Sequence, residues 1–127
     1  MDIKIDRKIV HASTGGRQPE KGEKAIILIH GAGMNRTAWQ LQTRNISYRG
    51  FRTYALDLPG HGRSDGPVLK NIKEMANWVK RVLEVMEIDQ ATIIGHSMGA
   101  LVALDFGSRF ESITKSLILI GAADSMP

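Results

Sequence analysis

The sequence predicts an α/β domain built on a doubly wound, mostly parallel sheet with helices on both faces. Three observations predict it. AIILIH at Ala25 to His30 and ATIIGH at Ala91 to His96 are continuous apolar, β-branched runs, as strands covered on both faces require. Between them Ile72, Met75, Ala76, Val79, Val82, Leu83 and Met86 recur at helical spacing and make one apolar face. Strand-like and helix-like segments then alternate along the chain, which implies right-handed crossovers between parallel strands.

In order, the alternation in IKIDRKIV predicts a short, half-buried strand pair, and the polar STGGRQPEKGE after it reads as a loop. AIILIH is the first buried strand. GAGMN follows as a loop, with Asn35 placed to cap a helix running through Trp39 and Leu41. RTYALDL at Arg52 to Leu58 predicts the next strand, and PGHGRSDGP is dense in turn residues. Asn71 with Glu74 three residues on makes a capping-box-like start to the helix Ile72 to Met86, where Met75 and Met86 are core filler. ATIIGH, SMGALVALDFGSRF and KSLILIG then read as strand, helix and a sixth, final strand.

Composition bounds the function. A chain of 127 residues fits one domain, and 43% hydrophobic with 24% charged residues is globular. Seventeen Lys and Arg against thirteen Asp and Glu give a net charge of +4, yet the basic residues are spread from Lys4 to Lys115, so solvated faces are expected and no nucleic-acid partner. Cysteine is absent, which removes disulfides, thiolate metal sites and cysteine nucleophiles. The four histidines lie far apart and form no HExxH-type pair, so no metal is expected. The charged start MDIKIDRK lacks the apolar core of a secretory signal, and no apolar run exceeds the length of AIILI, whereas a membrane span takes about 20 residues. A cytoplasmic setting without a membrane span is the expectation.

GHSMG at Gly95 to Gly99 matches GxSxG. The string alone is suggestive; a buried strand before it and an apolar helix after it are the context a nucleophile elbow demands. In that turn the residues two before and two after the serine come too close for side chains, and here both are glycine, Gly95 and Gly99. The helix that follows aims its positive end at Ser97. HGAG at His30 to Gly33 closes the earlier buried strand, so its loop can offer the Ala32 N–H to complement that of Met98. Two such donors make an oxyanion hole.

With these segments in hand, the chain resembles the N-terminal half of an α/β-hydrolase of the esterase and lipase type. HGAG, DLPGHGRSD at Asp57 to Asp65, and GHSMG stand in that family's order and approximate spacing, and the likeness runs from the first strand to Pro127. The resemblance implies Ser97 as nucleophile, the Ala32 and Met98 amides as oxyanion hole, a small-molecule ester or acyl substrate and no cofactor. Where the family often has two glycines after Ser-Met, this chain has Gly99 and then Ala100, and the first is the critical one. Serine at the elbow argues against the dehalogenases and epoxide hydrolases of this fold, which attack with aspartate. Esterases, lipases, thioesterases, C–C bond hydrolases and cofactor-free perhydrolases remain.

A serine nucleophile needs a base, and in this fold the order is serine, acid, histidine. No histidine follows Ser97. Residues 1–127 are therefore expected to form a partial domain, cut after the sixth strand, with the lid and the C-terminal catalytic segment absent. His30 and His61 are expected to shape turns or border the site, His96 to point into packing or the pocket rim, and His11 to end a strand. Some members of the family place their acid just past the final strand, which makes Asp124 a candidate, with a solvated loop carboxylate as the alternative. Asp57 and Asp65 are expected to cap the PGHG turn or bind loop amides, and Asp105 and Glu111 to be solvated. Trp39 and Trp78 read as core or groove residues. Two other functions stand beside the hydrolase: a non-catalytic binding module whose elbow helix holds an anion, and a truncated fragment with no function of its own. The final strand SLILI, apolar on both faces, is expected to promote self-association.

Overall fold

The computed structural model describes residues 1–121. Its six strands are β1 (Asp2–Ile5), β2 (Lys8–Ser13), β3 (Ala25–Ile29), β4 (Arg52–Leu56), β5 (Ala91–His96) and β6 (Thr114–Ile120). Its helices are α1 (Gln40–Tyr48), α2 (Ile72–Val85) and α3 (Met98–Arg109). The strands form one sheet in the order β1-β2-β4-β3-β5-β6. β4, β3, β5 and β6 run parallel, while the hairpin β1-β2 lies antiparallel on the β4 edge. Asp6 and Arg7 turn that hairpin with φ of 48° and 70°, the left-handed pair that a two-residue connection needs to match strand twist.

All five residues of β3 are buried, and they alternate between two cores. Ala25, Ile27 and Ile29 join Tyr54, Leu56 and Ile93 under α2 and α3, which contribute Val79, Val82, Leu83, Val102 and Phe106. Ile26 and Leu28 point the other way and pack with Ala55, Ile94 and Trp39 beneath α1. Helices thus cover both faces, as the continuous apolar runs predict. The second face is thinner, and Trp39 is its largest buried side chain.

Several boundaries differ from the sequence reading for physical reasons. The segment from Asn35 is one 3-10 turn, Arg36–Trp39, followed by α1. Asn35 does cap it, accepting from the Thr37 N–H at 2.9 Å. Past Leu56 the Asp57 amide still donates to the His11 carbonyl of β2, but the Leu58 amide leaves the sheet for the His30 ring, which ends the strand. Asn71 caps α2 by accepting from the Glu74 N–H, but the Glu74 carboxylate reaches the Lys70 amide, one residue short of a reciprocal box. His11, expected at a strand end, lies inside β2 and bonds Asp2 across the hairpin at 2.6 Å. Asp105 is not simply solvated, since it pairs with Arg109 at 2.7 Å.

The loop after β4 is held from within. Asp57 is fully buried; its Oδ1 accepts from the Arg36 N–H, and its Oδ2 from the Arg36 guanidinium and the Arg63 N–H, all between 2.7 and 2.9 Å. A side chain at Gly62 would collide with this carboxylate, which accounts for glycine there. Ser64 bridges the Asp57 carbonyl to the His11 N–H, and Asp65 exchanges two hydrogen bonds with Ile9. Asp57 therefore binds loop amides as expected, whereas the Asp65 carboxylate is structural but bonds a strand amide of β2. Asp57→Ala would remove the carboxylate partner of the largely buried Arg36 guanidinium and leave two amides without their acceptor, and we expect a loss of about 3–5 kcal/mol, read as a lower urea midpoint at unchanged slope.

Candidate active site

Ser97 sits between the last residue of β5 and the first of α3 with φ 57° and ψ −118°. That conformation lies outside the regions an L-residue adopts freely, so surrounding structure must hold it. The Ser97 N–H donates to the Ile120 carbonyl of β6 at 3.0 Å, and its own carbonyl accepts from Ala100 and Leu101 in the first turn of α3. Beneath the turn, a methyl group on Gly95 would strike the Gly99 carbonyl, and one on Gly99 would strike the carbonyls of Ile29 and His30. Strand, helix and neighbouring strand meet backbone to backbone at these two glycines. The Ser97 side chain is half-buried, caps no helix amide, and stands at the positive end of the 12-residue α3.

The HGAG loop arrives beside it from β3. A methyl group on Gly31 would lie 3.3 Å from Ser97 Cβ. His30 is fully buried; its Nε2 accepts from the Leu58 N–H at 3.1 Å, so Nδ1 carries the proton and donates to the Gly31 carbonyl at 2.8 Å. The Met34 N–H bonds the same carbonyl at 3.2 Å, and Gly33 takes φ 71° to close the turn. Neither the Ala32 nor the Met98 amide donates to another group among the described residues.

The other histidines are occupied elsewhere. His61 bonds the Pro59 carbonyl at 3.0 Å and lies against His30, ring centroids 5.1 Å apart. His96 points to the thin face, edge-on to Trp39 at 6.3 Å. Asp124 lies outside the described residues. Among the described residues no group of three acids or histidines gathers as a metal site, and no helix is long and apolar enough to cross a membrane. A cavity of about 410 Å³ is lined by Ser13, Arg36, Gln40 and Arg44 and does not include Ser97.

Sequence reasoning missed the Arg36 partnership with Asp57 and the bridging role of His30. The available signal was a histidine and an aspartate in two loops that close adjacent buried strands. Burial, opposed by the Gly31 hydrogen bond, pushes the His30 pKa below its ordinary value. The unfolded chain therefore takes up this proton first on acidification. The stability His30 contributes is complete above the unfolded value of about 6.5 and erodes as pH falls toward the folded one. Chemical denaturation from pH 7 to 5 should show falling stability, with a shallower slope in His30→Gln.

With this geometry in place, comparison with known proteins is direct. The model of the alpha/beta hydrolase fold family matches residues 24–127. An uncharacterized protein of Mycobacterium tuberculosis (strain ATCC 25618 / H37Rv) is 40% identical over 99 residues, covering 77% of this chain and 29% of that protein. The 2-hydroxy-6-oxononadienedioate/2-hydroxy-6-oxononatrienedioate hydrolase of Comamonas testosteroni is 33% identical over 117 residues, covering 88% of this chain and 39% of that protein. Among solved structures, a membrane phospholipase A described as a bacterial virulence factor superposes with a TM-score of 0.89 at 26% identity, over 100% of this chain and 40% of that one. The chain thus spans about a third of the length of these curated relatives. On the family match and the fold together, the chain belongs to the alpha/beta hydrolase fold family.

Proposed function

We propose that residues 1–127 are the nucleophile-bearing part of a serine hydrolase acting on carboxylic esters or related small acyl substrates. The observation that carries this reading is the backbone of Ser97, held at φ 57° and ψ −118° on a strand-to-helix turn with two glycines beneath it. A conformation that unfavourable is expected where function needs a side chain presented at the start of a helix. Ser97 Oγ attacks the carbonyl carbon, its proton passes to a base, and the carbonyl electrons move to oxygen. The Ala32 and Met98 amides, which donate to no other group among the described residues, receive that oxyanion. Collapse expels the alcohol, which takes the proton back, and water then releases the acid from the serine.

None of His11, His30, His61 and His96 hydrogen-bonds Ser97, so we assign the base to a histidine beyond these 127 residues of the whole protein. Asp124 is proposed as a candidate acid. A second reading, attack on the ketone of a 2-hydroxy-6-oxo-dienoate, is favoured by relatives at 30–33% identity named as hydrolases of such compounds. Both readings use the same serine. In the full-length protein, Ser97→Ala should abolish fluorophosphonate labelling and lower ester or dienoate turnover by at least about a thousandfold. The 127-residue chain alone should show no Ser97-dependent turnover. Labelling that survives Ser97→Ala overturns the assignment, and anion binding without turnover in the full-length protein favours a binding module.

We also propose that this chain by itself associates through β6. Among the described residues β6 pairs only with β5, and Ile118, Leu119 and Ile120 are 46%, 39% and 44% exposed beside an unpaired ladder edge. Sedimentation of the isolated chain should show concentration-dependent dimers. A monodisperse monomer at high concentration would contradict this.

A further inference from the structure

We infer that Met34 is a specificity-determining residue that lines the space for the acyl group, selecting carbonyl compounds with an apolar alkyl or aryl substituent; this rests on the serine-hydrolase reading of Ser97. The loop from His30 to Asn35 is nearly bare of side chains. Its residues are Gly31, Ala32, Gly33 and Met34, so Met34 supplies its one large apolar group. The Met34 sulfur lies 3.4 Å from the point where a Gly31 methyl would stand, and Ser97 Cβ lies 3.3 Å from the same point. Thioether and nucleophile therefore flank one bare stretch of backbone, on the loop that carries the Ala32 amide.

Met34 is also unlike the methionines that fill the core. Met75 and Met86 are 7% and 8% exposed within the main cluster, whereas Met34 is 40% exposed. Its backbone is fixed by the bond to the Gly31 carbonyl, while its side chain belongs to neither core cluster. An isolated exposed apolar residue ordinarily needs no explanation. One anchored beside the candidate nucleophile does, and an unbranched, polarizable thioether suits chains or rings of variable shape.

The test uses the full-length protein and 4-nitrophenyl methyl- and hexylphosphonates, whose phosphorus accepts Ser97 Oγ with expulsion of 4-nitrophenolate. Rates are read from the adduct mass. In the unsubstituted protein the hexyl probe should react faster than the methyl probe. Met34→Ala should lower the hexyl-to-methyl rate ratio about tenfold, and Met34→Leu should restore it, because the discriminating contact is apolar. A second readout is independent of turnover: peroxide oxidation of Met34, followed by peptide mass, should be slower in the hexyl adduct than in the methyl adduct. An unchanged ratio in Met34→Ala, or equal oxidation in the two adducts, overturns the role of Met34 while leaving Ser97 as nucleophile. Labelling that does not depend on Ser97 overturns the proposed reaction itself, and the Met34 assignment with it.

Discussion

The near-collision of three backbones at Gly95 and Gly99 is the constraint on which the rest of the structure depends. Because Gly99 lies on the carbonyls of Ile29 and His30, the start of α3 can sit directly over the end of β3, which pairs with the end of β5 at Ile29 and Gly95. Because Gly95 lies beneath the Gly99 carbonyl, the chain reverses from strand to helix within one residue, and that residue must accept positive φ. Serine, not glycine, occupies it. The unfavourable conformation is offset by the Ser97 bonds to β6 and to the first turn of α3, and by apolar contacts from Val102 and Phe106.

A second layer of order comes from polar groups turned inward. His30 links the β3 loop to the β4 loop through Leu58, Asp57 links the β4 loop to the 3-10 turn through Arg36, and Ser64 links it back to β2. The two loops, the 3-10 turn and β2 thus share one hydrogen-bonded frame. Each buried polar group in that frame has a partner, which is what makes its burial tolerable. The exception among the described residues is the Trp39 indole nitrogen, buried without a hydrogen bond.

Much of this was legible in the sequence because backbone constraints leave local marks. Glycine at both flanks of Ser97, continuous apolar runs at Ala25 and Ala91, and the 3-4 spacing from Ile72 identify the elbow, the central strands and α2. The role of Asp57 was legible as turn chemistry. Partnerships distant in sequence were not. Nothing local to Arg36 shows that its guanidinium turns inward to Asp57, 21 residues on, and nothing local to His11 shows that Asp2 lies opposite it. The early end of β4 was equally hidden, since it depends on an acceptor supplied by the ring of His30.

The two edges of the sheet are unequal, and that inequality limits how copies can assemble. β1 is four residues long, exposes Asp2 and Lys4, and turns Ile3 and Ile5 into the core, so it is a poor template for another strand. β6 has seven residues and an apolar exposed end. A sheet with one guarded and one open edge cannot propagate head to tail, because an open edge finds only another open edge. In the association proposed for this chain alone, pairing through β6 would be isologous, with a two-fold axis between the strands, and would stop at two chains.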